Sequence, residues 1–528
     1  MPRRTAPFAR FVRSASPLRA ERPRRAAMPA MFCVAAVALT FQLGGCAVGP
    51  NYQRPSAAVP ASFKEAPEGW KVAQPADQAD RGQWWTIYND PQLNALQDEL
   101  NEHNQTIAQY AAAYRQARAL VGEARAAYFP VISASAGATR SGSGAAGSRG
   151  SVGGPTVSNS FNAGLDATWE PDLWGKVSRT VGAQEAGRQG AAADLANARL
   201  SAQATLAQTY FALRSLDSQQ KLLDETVAAY QRSLQLTQNQ YAQGVAGRAD
   251  VIQAQTQLQS AQAAAIDNGV ARAQDEHAIA VLVGRPASTF SIPPSPLAAT
   301  PPVVPLSMPS ALLERRPDIA SAERKAAAAN EQIGVAMSAY FPDLTISASG
   351  GFQSSVLSQL FSLPSRFWTL GPSLAGTIFD GGLRHAQTEA ARAAYDEQVA
   401  TYRQTVLAAF QDVEDNLASQ RILAREIVVQ QQAVESAQHA LQIVTNEYKA
   451  GTIAFQNVLT AQTTAFVAQQ KLANIAGQRM VSSVGLVKAL GGGWDVAQMA
   501  RETGAMAAPA ATAVSASTSA SSGAAEAP

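Results

Sequence analysis

Cysteine is nearly absent from these 528 residues. The two present, Cys33 and Cys46, both fall in the first tenth of the chain, which excludes a disulfide framework and a cysteine-based zinc site. Aromatic residues make up only 7% and charged residues only 16%, too few large side chains for several thick globular cores. Long helices with small Ala, Gln and Ser contacts suit this composition better. There is no basic excess of the kind nucleic-acid binding needs, since Lys+Arg number 42 and Asp+Glu 40. The four histidines (His103, His277, His385, His439) are scattered. No Ser/His/Asp grouping, metal-ligand spacing or phosphate loop appears, so neither catalysis nor a cofactor is expected. Glu170, Asp172 and Asp380 stand isolated near strand ends, and Gly491-Gly492-Gly493 closes a helix.

What is present begins with an address. Residues 1–27 carry eight arginines and one acid, Glu21, and an apolar run follows from Met31 to Leu43. That run is too short for a permanent membrane helix and reads as an export signal. Leu43-Gly44-Gly45-Cys46 resembles a bacterial lipobox, against the alternative of a chance small-small-Cys. The resemblance implies cleavage of a signal peptide 1–45 and acylation of Cys46 by a diacylglycerol and an N-acyl chain. Ala47, a non-acidic residue after the cysteine, implies delivery to the outer membrane. The leader is long, and translation could start internally. From Cys46 onward the chain has 34 basic and 39 acidic residues, net −5. It holds no apolar stretch of 18 residues, so no transmembrane helix is expected.

The remainder reads as a duplication. Ala127-Tyr128-Phe129-Pro130 recurs as Ala339-Tyr340-Phe341-Pro342, and Tyr241-Ala242-Gln243-Gly244 as Tyr448-Lys449-Ala450-Gly451. The expected organisation is an extended N-terminal segment (46–88), a first repeat (89–285), a Pro-rich connector (286–309), a second repeat (310–495) and a disordered Ala/Ser-rich tail (496–528). Eight prolines in the connector's 24 residues read as stiff, extended and non-helical. Each repeat carries a helix, two strands, a very long helix, a glycine break and another helix. The spans are Pro91–Ala127, Val181–Tyr241 and Ala249–Val283, then Pro317–Ala339, Leu383–Tyr448 and Phe455–Leu490. The breaks fall at Gly244 and Gly451. Val399, Val406, Val413, Gln420, Ile427, Val434, Leu441 and Tyr448 recur every seven residues. Leu206, Leu213, Gln220, Val227, Leu234 and Tyr241 do the same, which predicts coiled-coil packing. An ordinary cytosolic coiled coil shares this pattern, but not the export signal.

The strands decide the architecture. Period-2 alternation runs through Val131–Thr139, Phe161–Trp169, Leu344–Phe352 and Trp368–Ile378, with Tyr128, Phe129, Trp169, Trp174, Tyr340 and Phe341 near the ends. Segments 140–160 and 353–366 are expected as outer loops. A half-buried soluble sheet alternates in the same way. Four strands cannot close a membrane barrel alone, because about eight is the minimum and open edges are not tolerated in lipid. Two copies would give eight strands with a filled lumen; three would give twelve and a water-filled bore.

The ordered set of Leu-Gly-Gly-Cys at 43–46, Gly49-Pro50-Asn51-Tyr52, Trp84-Trp85, Ala339-Tyr340-Phe341-Pro342, Asp380-Gly381-Gly382 and Lys488-Ala489-Leu490-Gly491-Gly492-Gly493-Trp494 resembles the TolC/OprM (NodT-type) family of outer-membrane efflux lipoproteins. The resemblance covers about residues 46–495. It implies a mainly α trimer with a twelve-stranded β-barrel in the Gram-negative outer membrane, four strands per protomer, above a long periplasmic coiled-coil tunnel. It implies a passive exit duct of a tripartite efflux system, not an enzyme. The implied partners are a periplasmic adaptor, an inner-membrane pump of the proton-driven RND type and outer-membrane lipid, with no nucleic acid. The tunnel would close at the Gly244 and Gly451 turns. There the resemblance pairs Asp250 with Tyr448 as a latch, while the residues alone also fit a helix N-terminal acid and a last heptad residue. Pore-narrowing positions of the family fall on Gln456, Thr460 and Thr463, none of which keeps the family's Leu, Asp and Arg, so an acidic ring is missing. A duct for type I protein secretion and a non-conducting coiled-coil lipoprotein are the other readings.

Overall fold

The computed structural model describes residues 47–65, 83–143, 156–298, 300–302 and 315–492. The leader, Cys46, the tail and residues 303–309 of the connector lie outside the described residues. Asp90 opens helix α1 (Pro91–His103), its carboxylate accepting from Gln92 N and Leu93 N at 3.0 and 3.1 Å, with Pro91 in the first turn. The single helix expected through Ala127 is broken at Asn104. That side chain accepts from Ile107 N at 2.9 Å to cap α2 (Gln105–Ala126), and its amide donates to Leu282 O at 2.7 Å. An Asn that competes for backbone donors makes the break.

Strands β1 (Val131–Ser143) and β2 (Thr156–Trp169) follow, then α3 (Lys176–Ala242) and α4 (Arg248–Leu282). The second repeat gives α5 (Pro317–Ser338), β3 (Asp343–Ser354), β4 (Arg366–Ala375), α6 (Leu383–Lys449) and α7 (Phe455–Ala489). Helices α3 and α6 each have 67 residues, α4 and α7 each 35. At 1.5 Å per residue the long pair form rods of about 100 Å. The heptad holds along α6, where Val399, Val406, Val413, Val434 and Tyr448 are buried. The polar heptad residue Gln420 donates to Arg479 O and Ser482 Oγ of α7, both at 2.7 Å, which fixes the register of the two helices. The duplicated tyrosines differ: Tyr448 is 6% exposed and Tyr241 48%.

The four strands form one antiparallel sheet in the order β1-β2-β3-β4. Strands β1 and β2 run further than alternation predicted, to Ser143 and from Thr156, into the segment expected as loop. Their pairing continues through Ser141↔Ser158, whose hydroxyls meet at 2.9 Å, so small polar residues extend the ladder. Gly376 and Ile378 fall beyond β4, and Ile378 is fully exposed. Two 3-10 turns, Leu357–Gln359 and Leu363–Ser365, cross between β3 and β4.

A buried aromatic cluster anchors the middle of the rod. Trp84 and Trp85 pack edge-to-face, with Tyr88, Tyr210 and Phe211 beside them, and the Trp84 indole donates to Gln203 Oε1 at 3.2 Å. The N-terminal segment is strapped along the helices. Arg179 donates to Val48 O, Gly49 O and Asn51 Oδ1 and pairs with Glu331 at 3.0 Å. Tyr52 donates to Glu323 Oε1 at 2.6 Å; burial first, then that carboxylate, pushes its phenol well above its ordinary value.

The connector is not wholly extended, since Ala287–Thr289 makes a 3-10 turn. Beyond it the chain is held by an ion network. Asp217, 2% exposed, accepts from Arg214 Nη1 at 2.9 Å, Arg272 Nε at 2.8 Å and Ser295 N at 2.9 Å. Arg272 also donates to Ile292 O, and Glu276 accepts from Ile292 N.

Glycines end the helices for two different reasons. Gly451, at φ +75°, carries the chain out of α6, and Thr452 N returns to Glu447 O at 3.1 Å. A Cβ there would meet nothing within 4 Å. At Gly491, φ +89°, a Cβ would lie 2.3 Å from Arg315 O. Gly451→Ala is therefore expected to cost about 1–2 kcal/mol from backbone conformation alone, and Gly491→Ala distinctly more. Urea unfolding of the two variants checks the order.

Candidate functional site

The sheet has two chemically distinct faces. Register places Ile132, Ala134, Ala136 and Ala138 beside Ala167, Leu165, Ala163 and Phe161, and these beside Ala348, Gly350 and Phe352. On β4 the same face continues with Trp368, Leu370, Pro372 and Leu374. Ile132, Leu165, Trp368, Leu370 and Leu374 are 58–79% exposed in the protomer. Such a continuous apolar surface needs lipid or protein over it. The opposite face carries Ser133, Ser135, Thr139, Asn162, Asp166, Ser347, Ser349 and Thr369. Its polar groups bond one another: the Ser349 and Thr369 hydroxyls meet at 2.5 Å, and the Ser135 hydroxyl donates to the Asp166 carboxylate at 3.2 Å. Strands β1 and β4 are the sheet's two edges. In lipid those edges must be paired, so the wall is completed by other copies.

The helices all join the sheet at one end, through Val131, Trp169, Asp343 and Ala375. An aromatic layer marks that junction. Trp169 Nε1 donates to Tyr128 O at 3.0 Å, Trp174 Nε1 to Pro342 O at 2.8 Å, and the Trp174 and Phe341 rings stack at 4.8 Å. The acids here are not isolated, as sequence alone implied. Asp172 accepts from Val177 N and Ser178 N at the start of α3, and Asp380 from Gly382 N and Arg384 N at the start of α6. The Arg384 guanidinium holds the Asp380 carboxyl below the usual carboxylate range.

The profile of the outer membrane efflux protein family matches residues 96–285 and again 308–492. The chain belongs to the outer membrane efflux protein family. It is 32% identical over 467 residues to the solvent efflux pump outer membrane protein SrpC of Pseudomonas putida, covering 87% of this chain and 97% of that one. It is 30% identical over 467 residues to SilC of Salmonella typhimurium, named a probable outer membrane lipoprotein, covering 87% and 98%. The solved outer-membrane channel OprN superposes with a TM-score of 0.79 at 29% identity, over 85% of this chain and all of that one. This efflux protein is thus a trimeric outer-membrane channel, with four strands per protomer in a twelve-stranded barrel and long helices reaching into the periplasm. It serves as the exit duct of an efflux system.

At the far end of the rod, the two helix turns form the tip. Gly244 and Gly451 lie at equivalent turns, both at φ +75°. Tyr448 packs against Phe455 with the rings tilted and their centroids 5.4 Å apart, and donates to Thr237 Oγ1 at 3.5 Å. Asp250 accepts from Gly247 N at 3.1 Å in the first turn of α4. In this protomer, therefore, the expected Asp250–Tyr448 bond is not made: the acid caps its own helix and the phenol closes the heptad. Gln456, Thr460 and Thr463 lie together on one exposed face of α7, opposite buried Phe455, Val458 and Ala465. Thr460 donates to Gln456 O at 3.0 Å and Thr463 to Leu459 O at 2.9 Å. Thr463 also accepts from Gln257 of α4 at 3.3 Å, a coupling that heptad analysis had no means to find. Among the described residues no group of three His, Cys, Asp or Glu could hold a metal ion.

Proposed function

We propose that this channel conducts small toxic compounds received from an inner-membrane, proton-driven RND-type transporter through a periplasmic adaptor. The observation that supports this reading is the two-faced, open-edged sheet set on helices of 67 residues. A sheet seated in the outer membrane leaves rods of about 100 Å to reach inward, where only a periplasmic partner can meet their tip. The relatives are named for export of solvents and cations, which favours small cargo over protein secretion. Narrowing of the pore is assigned to Gln456, Thr460 and Thr463 of α7, a ring without fixed charge.

A lipid anchor on Cys46 completes the proposal. Val48 N donates to Trp174 O at 3.0 Å, which holds the start of the described chain at the aromatic layer. Acyl chains attached one residue before Ala47 would enter lipid at that level. Cys46→Ser is expected to abolish the acyl mass on the purified protein and leave the heat-resistant trimer intact. Cross-linking in cells from Val245→Cys and Thr452→Cys, read by mass spectrometry, tests the larger reading. An adaptor attached at the tip is the expected product; its absence from both sites, in a strain that still requires the gene for tolerance, would count against it.

A further inference from the structure

The loop end of the barrel is chemically unlike the helix end. The sequence has no acid from Val131 to Leu165 and none from Leu344 to Phe379. Within those stretches lie three arginines: Arg140, Arg366 and Arg149, the last outside the described residues. The acids Glu170, Asp172, Asp343 and Asp380 all sit at the helix end. Register puts Arg140 on the apolar face, in the row of Ile132, Ala134, Ala136 and Ala138, opposite Asn159. Arg366 is on the same face, opposite Phe352 and in the row of Trp368 and Leu370. Both are exposed, and neither guanidinium has an ion pair or hydrogen bond to a described residue.

Their height follows from the strands. Arg140 stands nine residues above Val131 on β1, and Arg366 nine above Ala375 on β4. At about 3.4 Å per residue and a tilt near 40°, each lies roughly 23 Å above the aromatic layer, at the upper border of a lipid-facing band about 25 Å tall. A charge there is too high to sit in hydrocarbon and too low to be free in water, and it meets headgroups. Around Arg366 a groove of about 570 Å³ is lined by Phe352, Leu363, Trp368 and neighbours. Phe361 and Leu363, 73% and 72% exposed, extend this apolar surface along the β3–β4 crossing, and Phe361 packs edge-on against Phe352 at 5.5 Å.

We infer that Arg140 and Arg366 bind the phosphate groups of an anionic outer-leaflet lipid, whose acyl chains lie on Trp368, Phe352 and Leu363. Guanidinium is the side chain suited to this task, because its planar fork donates twice to one phosphate and is less strongly hydrated than an ammonium. Strands β1 and β4 are the protomer's two edges, so both arginines border the seams between subunits. A lipid bound there bridges neighbours. The inference rests on the seat of the barrel in the outer membrane.

The test is native mass spectrometry of the detergent-purified, full-length trimer, titrated with bisphosphorylated lipid A or with the same lipid after enzymatic removal of its phosphates. The wild-type trimer is expected to prefer the bisphosphorylated form by about tenfold or more. Arg140→Gln with Arg366→Gln should erase that preference and keep the binding of the dephosphorylated form. Equal binding of both lipids by wild type would overturn the inference while leaving the barrel in place, as would a preference that survives in the intact double variant. Retention of neither lipid by wild type would overturn the inference as well. Because the wild-type comparison needs no substitution, the inference stays testable even if the double variant does not assemble.

Discussion

Asp217→Ala is expected to destabilise the protein by about 3–5 kcal/mol, the usual cost of leaving buried charges without their partner. The carboxylate is 2% exposed and stands between Arg214, 4% exposed, and Arg272, 18% exposed. Arg214 keeps Gln92 Oε1 at 2.6 Å and Pro293 O at 2.8 Å, and Arg272 keeps Glu276 and Ile292 O. Those acceptors cannot neutralise two guanidinium groups by themselves. The loss also frees Ser295 N, which removes one of the connector's ties to α3 and loosens the two arginines that hold Ile292 O and Pro293 O. Asp217→Asn keeps an acceptor but not the charge and should fall between. Thermal unfolding followed by circular dichroism gives the stabilities, and limited proteolysis between Pro293 and Pro302 reports release of the connector. A loss under about 1 kcal/mol, of the size of an exposed pair, would mean that burial of Ile292 rather than the ion network holds this segment.

That network also marks the limit of what sequence could reveal. The heptads of α3 and α6, the glycine turns and all four strands were legible because each follows a short period: seven for the seam, two for the sheet, or one residue with a required positive φ. Arg214 and Asp217 are three residues apart on a helix, a spacing that ordinarily describes a solvated surface pair. Only the connector, folded back over them from some 80 residues away, turns the pair into a buried one. Asn104 escaped for a related reason. Its side-chain amide is drawn to Leu282 O, a partner that adjacency in the chain cannot name. The motif residues Trp84, Trp85, Asn51 and Tyr52 could be recognised but not explained until packing showed them as core and strap. At the tip, residue types alone allowed both a latch and ordinary helix-end roles for Asp250 and Tyr448, and the geometry of this protomer has the second.

Thr460→Asp is expected to change the channel more than any other substitution at the tip. Gln456, Thr460, Thr463 and Val467 recur at four, three and four residues, one stripe of α7 that its own protomer leaves uncovered. In the trimer this stripe must face the bore or a neighbour. If it faces the bore, as proposed, three carboxylates replace three hydroxyls that are already bonded to their own helix. A ring of fixed negative charge in a narrow aqueous passage concentrates cations and repels anions. The cation-to-anion permeability ratio should rise several-fold, on the order of the change a charged ring brings to other pores. Mutual repulsion raises the carboxyl pKa values above that of a lone Asp, so the gain should disappear on acidification sooner than for an isolated acid. Reversal potentials in a salt gradient across planar bilayers measure both effects. If selectivity is unchanged and the trimer instead dissociates more readily in detergent, the stripe lies in the seam between subunits, and the narrowest part of the duct must be formed by another helix face.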